Sequence, residues 1–185
     1  MYLIIGLGNP GDQFKGTRHN LGFEALDYLA AQHDGVWQDK TKLRGSLAKI
    51  KVGEASVLLL KPATFYNETG HSARAAQDFY KIDNSATLTI HDELALPFGM
   101  IRSRLNGSDA GNNGVKNLNA HLGDNYARIR VGISSEQKIN INDTDFVLTK
   151  FSHQEQSNLK EIYKKIALRI ESFIKGDFSP TSHKL

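Results

Sequence analysis

The sequence predicts one α/β domain over residues 1–185, with helices covering a largely buried sheet. Three observations predict it. Strand-like and helix-like segments alternate along the whole chain. Several of the strand-like segments are continuous apolar runs, the pattern of strands covered on both faces. No repeat, linker or composition shift divides the 185 residues, a length usual for one domain.

The elements follow in order. Tyr2–Ile5 reads as a short buried strand ended by Gly6. Leu21–Ala31 reads as a helix, with Leu21, Leu26, Leu29 and Ala30 on one side and Asn20 as its N-cap. Leu47–Val52 alternates: Ala48, Ile50 and Val52 face one way, Leu47, Lys49 and Lys51 the other. Val57–Leu60 is an unbroken apolar run stopped by Pro62, as in a central strand. Residues 69–80 have helical spacing through Ala73, Ala76, Phe79 and Tyr80. Leu88–His91, Met100–Leu105 and Ala127–Ile133 read as strands, the last two by strict alternation. The final helix opens on the capping box Ser152-x-x-Glu155 and carries Leu159, Ile162, Ile166, Ile170 and Phe173 to Lys175-Gly176. Asn106–Gly114 and Ser134–Asp145 read as long polar loops, and residues 177–185 as a flexible tail.

Composition removes several classes of function. Apolar residues make up 39% and charged residues 23%, ordinary for a globular chain. The absence of cysteine excludes disulfides, thiol catalysis and cysteine-ligated zinc, and fits a reducing compartment. The longest apolar run, Met1–Ile5, is far short of the roughly 18 residues a membrane span needs. No basic segment precedes it, so no signal peptide is expected. The net charge of +3 is too small to name a nucleic-acid partner, so its distribution matters more.

Gly6-Leu-Gly-Asn-Pro-Gly11 follows a strand and matches the dinucleotide fingerprint G-x-G-x-x-G. Its context does not. No helix opens after it, since Asp12–Arg18 contains Gly16 and no apolar period, and no acidic residue ends a next strand at the right distance. A Gly/Pro-shaped turn fits better.

The chain has no cysteine nucleophile and no G-x-S-x-G elbow. No two histidines flank a glutamate at helical spacing, and His91-Asp92 alternate across a strand. No metal site is therefore expected. What remains is water activated by histidine. His19 lies in a loop before the first helix, and Asp92 where a strand gives way toward Pro97. An aspartate accepting from one ring nitrogen fixes the tautomer, and the other nitrogen can take a proton from water. Ordinary roles stay open for both: solvation for a loop histidine, turn capping for an aspartate. Asn9, Asn67 and Asn113 each precede or open a turn or helix. Capping is open for each of them, yet neutral amides also suit a site that holds a peptide backbone. Arg102 and Arg104 share one strand face, as do Arg128 and Arg130. From Phe98 to Arg130 five Lys/Arg stand against two acids. This stretch suits a phosphate backbone, with solvated strand faces as the open alternative. It holds no aromatic RNA-reading signature.

Six ordered motifs together resemble the bacterial-type peptidyl-tRNA hydrolase family: Gly6-Leu-Gly-Asn-Pro-Gly11, Thr17-Arg-His-Asn-Leu-Gly22, Lys61-Pro-Ala-Thr-Phe-Tyr-Asn67 with Gly70, His91-Asp-Glu-Leu-Ala-Leu-Pro97, Gly111-Asn-Asn-Gly-Val-Lys116 and Arg128-Ile-Arg-Val-Gly-Ile133. The resemblance implies a mixed, twisted sheet flanked by helices. It implies hydrolysis of the ester between a peptide and the terminal ribose of tRNA, freeing tRNA stalled off the ribosome. It also implies a cytoplasmic monomer that uses no cofactor or metal and whose partner is peptidyl-tRNA, not a membrane. By resemblance, His19 is the general base, Asp92 holds it, and Asn9 distinguishes a blocked from a free amino group. Asn67 and Asn113 hold peptide or water, and Phe14 and Phe65 line the groove. Arg104 and Arg130, with Lys138 in a variable loop, meet the tRNA backbone. Three residues depart from the pattern: Tyr66 replaces the usual methionine in the groove wall, Asn112 stands where histidine is common, and Asp109 adds negative charge. A non-catalytic RNA-binding relative on the same fold is the alternative.

Overall fold

A computed structural model of the chain describes residues 1–184. Its strands are β1 (Tyr2–Gly6), β2 (Gln38–Lys40), β3 (Gly45–Val52), β4 (Ala55–Pro62), β5 (Thr87–Pro97), β6 (Ile101–Arg104), β7 (Ala127–Ser134) and β8 (Thr181–His183). Its helices are α1 (Leu21–Gln32), α2 (Thr69–Tyr80), α3 (Asn113–Leu122), α4 (Asp143–Val147) and α5 (His153–Ile174). The strands form one sheet in the order β2-β3-β4-β1-β5-β7-β6-β8. The central strands β4, β1, β5 and β7 are parallel neighbours, and the outer pairings are antiparallel. The sheet is thus mixed, as the motifs imply.

Alternation along the strands divides the interior into two cores. Ile4, Ile50, Leu59, Leu88, Ile90, Ile129 and Val131 face α1 and α5. Leu3, Ile5, Leu47, Leu58 and Leu60 face Ala73 and Ala76 of α2 and Val115 and Leu118 of α3. A two-residue period thereby lets one apolar run feed both faces, which explains why Leu3–Ile5 of β1 and Val57–Leu60 of β4 show no polar side. On β6 and β7 arginines meet in register, Arg102 opposite Arg130 and Arg104 opposite Arg128. No helix of the described residues is long and apolar enough to cross a membrane.

The structure departs from the sequence reading at its edges. β5 runs to Pro97 through a register irregularity after Glu93, so Asp92 lies inside the strand. β2 is a short polar edge strand that carries no apolar period to read. Phe79 is 66% exposed, so α2 buries its alanines and not that ring. The Ser134–Asp145 segment holds a 3-10 turn and leads into α4, whose Phe146 is buried. Most of the expected tail is docked: Phe178 packs edge-on against Phe173, and β8 pairs with β6. Arg169 adds a bond to the Ser179 carbonyl at 2.9 Å and sits 5.0 Å from the Phe178 ring, so tertiary contacts hold a polar segment that has no periodicity of its own.

Candidate active site

His19 and Asp92 come together because two elements meet at the carboxyl ends of the parallel strands. His19 sits on a 3-10 turn, Arg18–Asn20, immediately before α1. Gly22 lets that turn approach the sheet: a Cβ there would lie 2.6 Å from the Ile90 carbonyl oxygen and from the Leu7 backbone nitrogen and oxygen. Arg18 anchors the turn from behind. It is fully buried, donates to both carboxylate oxygens of Glu155 at 2.9 and 2.7 Å, and bonds the Ile133 carbonyl and Thr149 Oγ1. The rings of Phe146 and Phe151 lie 4.6 and 4.8 Å from its guanidinium. Glu155 closes the α5 capping box on Ser152 as well. Burial pushes the Glu155 carboxyl up, but the Arg18 and Ser152 hydrogen bonds and the Arg18 charge outweigh it and hold it below the usual range.

With the turn fixed, His19 Nδ1 lies 2.9 Å from Asp92 Oδ2. A carboxylate can only accept, so Nδ1 carries the proton and Nε2 is the open ring nitrogen. The Tyr66 hydroxyl donates to the other carboxylate oxygen, Oδ1, at 2.6 Å. The Tyr66 ring stacks on the imidazole, centroids 3.5 Å apart and planes 12° from parallel. Burial, then the Asp92 charge, pushes the Tyr66 phenol far above its ordinary range, so it stays a neutral donor.

Two clefts meet at this pair. One, of 510 Å³, is lined by His19, Tyr66, Asp92, Asn112, Asn113 and Lys138 among others. The other, of 290 Å³, brings Asn9, His19, Phe65, Asn67 and Asn113 together beside Leu148. All three asparagines singled out by sequence therefore face one cleft with the histidine. Phe65 is 58% exposed along its rim. Phe14 lines neither cleft; it ends a separate 3-10 turn at Asp12–Phe14. Among the described residues no three His, Asp or Glu side chains converge as a metal-binding group.

A chain of 46% identity over 160 residues, 86% of this chain and 84% of the relative, is the peptidyl-tRNA hydrolase of Chlorobium chlorochromatii. The family model for peptidyl-tRNA hydrolase matches residues 3–185. The chain belongs to the peptidyl-tRNA hydrolase family. A second relative, the peptidyl-tRNA hydrolase of Campylobacter hominis, is 40% identical over 184 residues, 100% of this chain and 79% of its own. The fold agrees as well. The crystal structure of the Acinetobacter baumannii peptidyl-tRNA hydrolase superposes with a TM-score of 0.86 at 32% identity, over 95% of this chain and 89% of that one.

Within this peptidyl-tRNA hydrolase fold the sequence reading needs three changes. Asn20 does not cap α1 with its side chain. It brackets Asn9 instead, accepting from the Asn9 N–H at 2.8 Å and donating to the Asn9 carbonyl at 2.9 Å. Tyr66 is not only groove wall, since its backbone N–H donates to Asn9 Oδ1 at 2.8 Å and its hydroxyl reaches Asp92. The basic strand face is partly committed. Arg128 is buried and donates to the Gly107 and Ser108 carbonyls, and Arg130 pairs with Glu93 at 2.9 Å. Lys138 pairs with Asp143 at 2.9 Å, while Arg104 is exposed and has no ion-pair partner among the described residues. The sequence signal for Asn20 was its place beside His19; nothing in the pattern distinguishes that from a cap.

Proposed function

We propose that the protein hydrolyses the ester between an N-blocked aminoacyl or peptidyl group and the terminal ribose of tRNA. Family membership supports the reaction. The observation that carries the mechanism is the 2.9 Å His19–Asp92 contact at the junction of the two clefts. His19 Nε2 takes a proton from water, whose oxygen bonds to the ester carbonyl carbon. The bond to the ribose oxygen then breaks, and that oxygen regains the proton. The products are the peptide carboxylic acid and tRNA with a free ribose hydroxyl. Asp92 keeps Nδ1 protonated and balances the imidazolium that forms.

Asn9 supplies the discrimination. Its Oδ1 is committed to the Tyr66 N–H, so its Nδ2 is the group left to address substrate. An amide N–H donor bonds a peptide carbonyl, and it offers nothing to a free ammonium that has lost its hydration. Asn67 and Asn113 extend the same neutral lining along the peptide, with Phe65 at the rim. The tRNA backbone lies toward Lys138, Arg130 and Arg104, where Arg104 contributes the least compensated charge. The substrate belongs to translation, which supports a cytoplasmic enzyme, and a site built within one chain is in keeping with a monomer.

Two substrates that differ only at the amino group test this reading. N-acetyl-aminoacyl-tRNA and free aminoacyl-tRNA are each incubated with the protein in EDTA. Rapid cleavage of the blocked form alone is expected. Binding of tRNA without cleavage of either would favour the RNA-binding alternative.

A further inference from the structure

The hydrogen bonds around Asp92 run in one direction, and α3 sets that direction. Asn112 Oδ1 caps α3 by accepting from the Val115 N–H at 3.0 Å. Its amide is therefore oriented, and Nδ2 must point the other way, where it donates to the Tyr66 hydroxyl oxygen at 2.9 Å. The phenol has one proton, and with Asn112 donating to its oxygen that proton goes to Asp92 Oδ1. Asp92 Oδ2 is then the oxygen left for His19. Without the phenol, the carboxylate would be free to turn about its broad terminal torsion. Gly114, the second residue of α3, leaves room for the ring: a Cβ there would collide with Tyr66.

We propose that Tyr66, itself held by Asn112, is a positioning residue for the hydrolysis: its hydroxyl clamps Asp92 so that one oxygen faces His19, and its ring fixes the imidazole plane. This rests on His19 as the base. Tyr66 also carries the backbone N–H that holds Asn9, so one residue ties the amine-sensing asparagine to the catalytic pair.

Other charged groups near the pair are already engaged. On β5, Glu93 is taken by Arg130 of β7. Burial holds the His91 imidazole below its ordinary value, and its Nδ1 contacts the Asp92 carbonyl oxygen at 2.8 Å. Across the larger cleft Lys138 pairs with Asp143 of α4. Arg18, on the same turn as His19, is held by Glu155 of α5. From α3 and the residue before it only the amides of Asn112 and Asn113 line the site.

The test is the pH profile of kcat/KM on N-acetyl-aminoacyl-tRNA for wild type, Tyr66→Phe, Asn112→Ser and the double variant. Phenylalanine keeps the stack and removes the donor; serine keeps the α3 cap and removes the amide N–H. Tyr66→Phe is expected to lower kcat roughly tenfold, about the loss of one hydrogen bond to a charged group, with KM within about twofold. Its acid limb moves to higher pH, because an Asp92 charge no longer shared with the phenol stabilises the imidazolium more. Asn112→Ser moves the limb the same way by less, and adds nothing in the Tyr66→Phe background. A Tyr66→Phe enzyme with wild-type kcat and an unmoved limb overturns the proposal, as do additive effects in the double variant. Failure of the wild-type protein to cleave the blocked substrate overturns instead the reading beneath it.

Discussion

Arg18 and His19 are adjacent on one short turn, and each binds a buried carboxylate, yet their surroundings are opposite. Arg18 has both oxygens of Glu155, the Ile133 carbonyl, Thr149 Oγ1 and Gln137 Oε1 as acceptors, and two aromatic rings within 5 Å. His19 has one oxygen of Asp92 and one stacked ring, and its other nitrogen faces open clefts. The first pair is sealed, its guanidinium spanning both carboxylate oxygens. The second is held at one end by neutral donors and can change protonation at the other. The rigid neighbour is what allows the reactive one to be exposed without losing its position. The same contrast recurs on the sheet. Arg128 and Arg104 are register partners across β6 and β7, but Arg128 is buried holding a loop while Arg104 is exposed.

The largest expected effect separates the two neighbours by activity. His19→Ala should lower turnover of N-acetyl-aminoacyl-tRNA by about a hundredfold to ten-thousandfold, the usual worth of a general base, with a far smaller change in urea unfolding than Arg18→Met gives. Arg18→Met should do the converse. It leaves Glu155 buried without its charge partner and should cost about 3–5 kcal/mol in urea unfolding, while the fraction that stays folded keeps measurable turnover. A loss under about 1 kcal/mol, the scale of an exposed pair, would break the comparison.

Acid sharpens it further. The Glu155 carboxyl is held low in the folded state, so the unfolded chain binds more protons in acid. Its stabilisation is complete above the unfolded value, about 4.3, and is lost as pH falls through the folded value. Melting temperature against pH should therefore drop more steeply there in wild type than in Glu155→Gln. The smallest effect belongs to the exposed arginine: Arg104→Ala should raise KM a few-fold and reduce the slope of log binding against log salt by about one, with kcat unchanged.

Much of this was legible in the residues. β1 and β4 announced themselves as apolar runs and β7 by its alternation, and the α5 capping box Ser152–Glu155 forms as its spacing predicts. His19, Asp92 and the three asparagines do share one place. What could not be read were contacts set by tertiary geometry. Asn20 has the residue type and position of a cap, and only the fold shows that it brackets Asn9. Tyr66 is an aromatic in a groove motif until Asp92 is seen 2.6 Å from its hydroxyl. A strand period places Arg128 and Arg130 on one face, but it cannot say that Glu93 and the loop carbonyls already occupy them. β8 carries no pattern because its order comes from Phe178 and from the ladder of β6.

The most direct measurement of the central claim is the imidazole nitrogen spectrum of His19 in ¹⁵N-labelled protein, at a pH where the ring is neutral. The expected result is a protonated Nδ1, held by Asp92, and an unprotonated Nε2 ready to take a proton from water. The reverse tautomer, with Nε2 protonated and Nδ1 bare toward Asp92, would contradict it.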